Sequence, residues 1–192
     1  MIRKALEILA VIVIAVVGLF LAVAAFLPGT YTLERSIEIA RPPALVYSQV
    51  ADFNAWMKWS PWPNMDPAAE HTVTGTPGTV GMHWSWSGEE LGVGAMTIEA
   101  LEPNRSLHSK LEFKEPMQSI ADDYMELEPT SDGGTRVTWR NTGQLPYPIA
   151  RYFGLTLEGM LGPQYEEGLA SLKALCETME LPSDDSEMTT ES

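Results

Sequence analysis

The sequence predicts an α+β protein: a curved antiparallel sheet of about seven strands around one long C-terminal helix, preceded by a single transmembrane helix. Three observations carry this. Residues 8–27 read ILAVIVIAVVGLFLAVAAFL, twenty positions without a charge. From residue 31 onward, seven stretches read as strands, separated for the most part by turn-forming residues. After Pro163, Tyr165, Leu169, Leu172, Cys176 and Met179 recur at spacings of four, three, four and three, an amphipathic stripe. A sheet with one apolar face and a helix with one apolar stripe bury both most economically against each other.

Taken in order, residues 1–7 form a short cytoplasmic N-terminus and 8–27 the span. Twenty helical residues reach roughly 30 Å, the thickness of a bilayer's hydrocarbon core. Pro28-Gly29 stops the helix. Arg3 and Lys4 precede the apolar run, so the positive-inside rule keeps the N-terminus cytoplasmic. The expectation is a single-pass inner-membrane protein with its domain on the periplasmic or extracytoplasmic side. Its rival is a cleaved signal peptide, with Ala22-Val23-Ala24 as the cleavage-like stretch. The run is longer than the usual signal core of about 7–15 residues, which favours a retained anchor. A mature N-terminus near Ala25 would decide for the rival.

Residues 31–180 form the domain. Tyr31, Leu33, Arg35, Ile37 and Ile39 share one side of a strand over 31–39. Pro42-Pro43 opens a short helix over 43–51. DFNAWMKWSPW (52–62) holds three of the six tryptophans and reads as a second short helix ending at Ser60-Pro61. Strands follow over 70–76, 80–87, 93–101, 107–113, 119–127 and 135–142, a meander rather than βαβ units. Pro163 opens a helix of about 17 residues. The acidic stretch 181–192 has no periodicity and is expected to be disordered.

An apolar content of 45% excludes a wholly disordered chain, and a single cysteine, Cys176, excludes an internal disulfide. A net charge of −14 argues against nucleic acid, whose phosphates select basic surfaces. His71, His83 and His108 are isolated, and one cysteine cannot build a thiolate site, so no metal or cofactor is expected. No nucleophile motif, Gly-rich phosphate loop or paired carboxylates stand out, and no catalytic residue is assigned.

The stretches ERSIEIARPPALVYSQVADFNAWMKWSPW, VGMHWSWSG, GVGAMTI, LEPTSDGGTRVTW and RYFGLTLEGMLGPQYEEGLASLKAL occur in this order over roughly residues 31–180. In these words the chain resembles the START-like, helix-grip superfamily (SRPBCC), in its polyketide cyclase/dehydrase-like branch. The resemblance implies a helix-grip fold with a large cavity between sheet and long helix, commonly used for lipids or other apolar molecules. It implies no particular reaction, because the superfamily mixes carriers and enzymes.

Period-two alternation then assigns the lining. Trp84 and Trp86 share a face, as do Met96 and Ile98, and Leu107, Leu111 and Phe113. Asp123, Met125 and Leu127 alternate, as do Trp139 and Asn141. Taken singly, each reads as packed core; the resemblance turns the set into a cavity. Asp123 is the candidate orienting group, or a base with a raised pKa, unless a register shift turns it to solvent. Trp56 and Trp59 form a packed corner that shapes the cavity entrance, and Phe153, Leu157 and Met160 gate it. The function expected is a membrane-tethered binder of an apolar small molecule, lipid- or isoprenoid-like. The alternatives are an accessory subunit docked to other membrane proteins through 8–27, where Gly18 permits close helix contact, and an enzyme of cyclase or dehydratase type.

Overall fold

The computed structural model describes residues 2–180; the tail expected to be disordered lies outside them. Helix α1 (Ile2–Phe26) is long and apolar enough to cross a membrane, and Ala24 is its one buried residue. Strand β1 (Thr30–Ile39) and the short helices α2 (Pro43–Val50), α3 (Phe53–Trp59) and α4 (Trp62–Met65) follow. Strands β2 (Glu70–Thr74), β3 (His83–Gly88), β4 (Gly92–Glu102), β5 (Ser106–Glu115), β6 (Ser119–Pro129) and β7 (Thr135–Gln144) then lead to helix α5 (Ile149–Thr178). The seven strands form one antiparallel sheet in the order β1-β7-β6-β5-β4-β3-β2, with α5 laid against it.

Three elements differ from the sequence reading. Strand β3 starts at His83 rather than at residue 80, because Gly81 adopts φ +88° in a turn. Trp62 opens a further helical turn, α4, where the second helix was expected simply to end. Above all, α5 begins at Ile149 and carries Pro163 in its interior. A mid-helix proline removes one hydrogen bond and ordinarily breaks the helix, so Pro163 read as a start. The compensation is tertiary. The Arg35 side chain from β1 donates to Glu158 Oε1 at 2.5 Å and to Glu166 Oε1 at 2.7 Å, bracketing Pro163 from both sides. Gly162 makes room, since a Cβ there would strike the guanidinium.

Strand register aligns the inner-face residues into rows. Arg35, Trp139, Met125 and Leu107 form one row, and Ile37, Val137 and Leu127 the next. The row of Leu33, Asn141, Asp123, Ser109 and Ile98 lies on the other side, toward α1. Beyond it comes Tyr31, Gly143, Ala121, Leu111, Met96 and Trp84. Small residues (Ser109, Ala121, Gly143) replace bulk in these last two rows, so the sheet face is hollow at the end from which α1 leaves.

Asp66, just after α4, is buried, and its Oδ2 accepts the amides of Glu90 (2.9 Å) and Leu91 (3.3 Å). This fastens the β3–β4 turn to the short helices. Asp66→Ala should cost about 1–3 kcal/mol by stranding two amides. Urea denaturation and faster hydrogen exchange at Glu90 and Leu91 would register it; unchanged exchange there would refute it.

A candidate ligand cavity at the hollow end of the sheet

Over the hollow rows lies a cavity of about 90 Å³. Its sheet wall is Tyr31, Trp84, Trp86, Met96, Leu111 and Phe113, its inner polar end Asp123 and Asn141, and its outer wall Trp62, Leu91, Leu161 and Tyr165. Gly94 and Gly143 shape it by omission: a Cβ on either would strike the rings of Trp86 and Tyr31, which lie on the bare backbone.

The polar end is one connected group. Asp123 is buried, and its Oδ2 accepts Trp139 Nε1 at 2.7 Å. Its Oδ1 accepts Asn141 Nδ2 and Tyr165 Oη, each at 3.1 Å. Tyr31 Oη in turn donates to Asn141 Oδ1 at 2.6 Å. Desolvation raises the Asp123 carboxyl to about 6; the hydrogen bonds from Trp139, Asn141 and Tyr165 pull it down but do not win. Burial, then the facing Asp123 charge, raises Tyr31 to about 12 and Tyr165 well above the ordinary phenol value. Ser109, opposite Asp123 in register, is buried with no hydrogen-bond partner for its hydroxyl. Such a group can orient a polar substituent on an apolar molecule, or move a proton near neutral pH.

Seven residues expected to line the cavity stand on its wall: Trp84, Trp86, Met96, Leu111, Phe113, Asp123 and Asn141. Ile98, Leu107, Met125, Leu127 and Trp139 do not; they are buried in the packed core. The hollow covers two rows and the edge beyond, whereas Leu107, Met125, Leu127 and Trp139 belong to the filled rows.

The expected entrance also needs correction. Trp56 and Trp59 are fully buried, with indole N–H groups donated to the carbonyls of Val50 (2.8 Å) and Gln49 (3.3 Å). Both rings pack at 5.5 Å on Trp139, and ring contacts link all six tryptophans into one cluster. They are the floor of the core; of that stretch, Trp62 alone reaches the cavity. Leu157 is buried away from the wall, while Phe153 and Met160 face outward, 43% and 51% exposed. The helix runs on through residue 163, which fixes their rotation. Five wall residues lie outside the expected lining: Tyr31, Trp62, Leu91, Leu161 and Tyr165. Tyr31 and Tyr165 were legible on the apolar side of the first strand and on the terminal helix stripe. Leu161 sits four residues before Tyr165 and continues the terminal helix stripe, whereas Trp62 and Leu91 carry no periodic signal that points inward.

On the outer sheet face, Glu99, His108 and Asp122 bring potential ligand atoms within 4.8 Å of one another. A bulge between Ile98 and Ala100 makes Glu99 the extra residue of its strand and sets both Glu99 and Ala100 on that face, beside His108. His108 Nε2 lies within hydrogen-bond distance of Asp122 Oδ1, at 2.9 Å, and its ring stacks on Tyr124.

The family model described as "Polyketide cyclase / dehydrase and lipid transport" matches residues 30–177. The chain belongs to this family. Among solved structures, one from Thermobifida fusca is similar at TM-score 0.61 and 20% identity, covering 79% of this chain and 97% of that one. CV1439 from Chromobacterium violaceum matches at TM-score 0.56 and 21% identity, covering 79% and 99%. The di-domain ARO/CYC StfQ of the steffimycin biosynthetic pathway matches at TM-score 0.57 and 14% identity, covering 77% of this chain and 51% of that one. At these identities the likeness speaks to fold alone. No curated protein matches the chain. Membership accounts for the helix-grip architecture, the seven-stranded sheet with α5 laid against it.

Proposed function

We propose that the protein is a membrane-tethered binder of an apolar small molecule, lipid- or isoprenoid-like, held between the sheet and α5. The observation that carries this is the cavity's make-up: aromatic and aliphatic walls with one hydrogen-bonded group, centred on Asp123, at the inner end. A ligand with an apolar body and one hydroxyl or amide donor suits that balance. At about 90 Å³ the cavity is smaller than ligand pockets of roughly 300–1,000 Å³. Binding therefore widens it, and the half-buried Trp62, Leu91 and Leu161 are the walls that yield. The tether keeps the cavity near the bilayer, where such a ligand concentrates. Contacts between α1 and α5 support retention of the anchor over cleavage near Ala24, which is buried.

Purification of the full chain from membranes in mild detergent, then solvent extraction and mass spectrometry, should yield one apolar compound in near-stoichiometric amount. Leu111→Trp, which fills the cavity, should lose it while keeping its unfolding temperature. An empty wild type, or a filled variant that still carries the compound, would refute the reading.

One observation favours a second reading, an enzyme of cyclase or dehydratase type: an Asp123 carboxyl near 6 beside Asn141 and Tyr165 suits general acid–base work. If Asp123→Asn and Asn141→Ala leave a screened activity intact, that reading fails.

A further inference from the structure

We infer that the end of the domain beside α1 is a membrane-seated surface, with the outer face of the first half of α5 and the tip of the β5–β6 hairpin lying at the boundary between headgroups and acyl chains. This rests on the reading of α1 as a retained span.

One ring stack and four hydrogen bonds fix the start of α5 beside the last turns of α1. The Phe20 ring stacks on Tyr152 at 4.5 Å and 11°. Tyr152 Oη donates to the Phe20 carbonyl at 2.6 Å, and Tyr147 Oη to that of Leu21 at 3.0 Å. Arg151 Nη1 donates to the carbonyls of Ala24 (3.1 Å) and Ala25 (3.3 Å). The last carbonyls of a helix lack partners within it, and its C-terminus carries partial negative charge, so a guanidinium there is doubly suited. A span of about 20 residues puts this end of α1 at the edge of the hydrocarbon. The first turns of α5 are therefore at bilayer level.

The surface they present is apolar where a soluble helix would be polar. Ile149, Phe153 and Met160 fall on one outward stripe of α5, 68%, 43% and 51% exposed. Beyond Pro163 the same stripe carries Gln164, Glu167 and Ser171. The change of chemistry along one helical face coincides with distance from α1. At the same end of the sheet, the β5–β6 hairpin exposes Met117 and Ile120, and Ile120 shares a surface recess with Pro146, three residues before α5 begins. Tyr147 and Tyr152 stand where interfacial tyrosines accumulate.

Charge selects the kind of bilayer. The chain carries a net −14, and Arg151 is already engaged with α1, so apolar insertion rather than attraction to anionic lipid holds the surface down. The cavity row that begins at Tyr31 lies at this end of the sheet, so a molecule leaving the acyl chains would reach it with little exposure to water.

The test uses the full chain in phosphatidylcholine vesicles, with a fluorophore on Ile149→Cys, Phe153→Cys, Ser171→Cys or Val16→Cys; the native Cys176 is buried. Nitroxide attached to lipid should quench labels at 149 and 153 several-fold more than at 171, and aqueous iodide should do the reverse. If 149 and 153 are as open to iodide as 171 while 16 is quenched by lipid nitroxide, the span stands and this surface does not exist. If 16 is itself open to iodide, the span reading fails and this inference with it. Labels at 149 and 153 shielded from both quenchers would mean a protein neighbour covers the face, which also overturns it.

Discussion

Trp139→Ala should lower the unfolding free energy by about 5 kcal/mol. Truncating a buried tryptophan costs about 3–5 kcal/mol through lost burial and the cavity left behind. Trp139 is fully buried and packs on Trp56, Trp59, Trp62 and Tyr165. It also donates to the buried Asp123 carboxylate, and a hydrogen bond to a charged group contributes about 1.5–3 kcal/mol. These do not simply add, because the tryptophans repack together. Against a typical total of about 5–15 kcal/mol, the variant sits at the edge of folding. Trp139→Phe separates the two parts: it keeps most of the ring and loses the donor, so its loss should be roughly half as large. Urea unfolding followed by far-ultraviolet circular dichroism reads both. A Trp139→Ala midpoint equivalent to less than about 1 kcal/mol of loss would show that the cluster does not hold the core.

The second large effect is a fall in stability as pH rises from about 4 to 7, absent in Asp123→Asn. The folded Asp123 pKa is about 6 against an ordinary 3.8. The folded state therefore holds this proton more tightly than the unfolded chain. Its contribution is full below the unfolded pKa and is lost as pH rises through the folded one. Two pKa units correspond to roughly 3 kcal/mol at 1.36 kcal/mol each. Glu177 and Asp132 are shifted downward by hydrogen bonds, the opposite sign, and lose their contribution on the acid side. They are common to both proteins, so the difference curve isolates Asp123. Asparagine also turns an N–H₂ toward the donors, which gives a constant offset but no slope. A flat difference between pH 4 and 7.5 would mean that Asp123 does not hold its proton in the folded state.

The cavity's polar end was half legible. Alternation put Asp123 and Asn141 on inner faces, but nothing in the sequence joins Tyr31, Tyr165 and Trp139 to one carboxylate across more than a hundred residues. The tryptophan stretch shows the same division. Its burial follows from composition, yet its contact with Trp139 rather than with a ligand depends on where the sheet curls over. The outward turn of Phe153 and Met160 was lost for a local reason: Pro163 reads as a helix start unless Arg35 is known to clamp both sides of it.

What the sequence by itself determined is the set of elements: the apolar first helix, the seven strands and the amphipathic stripe after Pro163. These are properties of neighbouring residues, and hydrophobic period and turn chemistry act locally. The tertiary structure alone decided which inward residues are packed and which border open space. That depends on register, because a hollow arises only where Ser109, Ala121 and Gly143 come into adjacent rows from strands far apart in the chain. It also set the value of Asp123, since a carboxyl pKa follows from the desolvation and donors that three strands and a helix bring to one point.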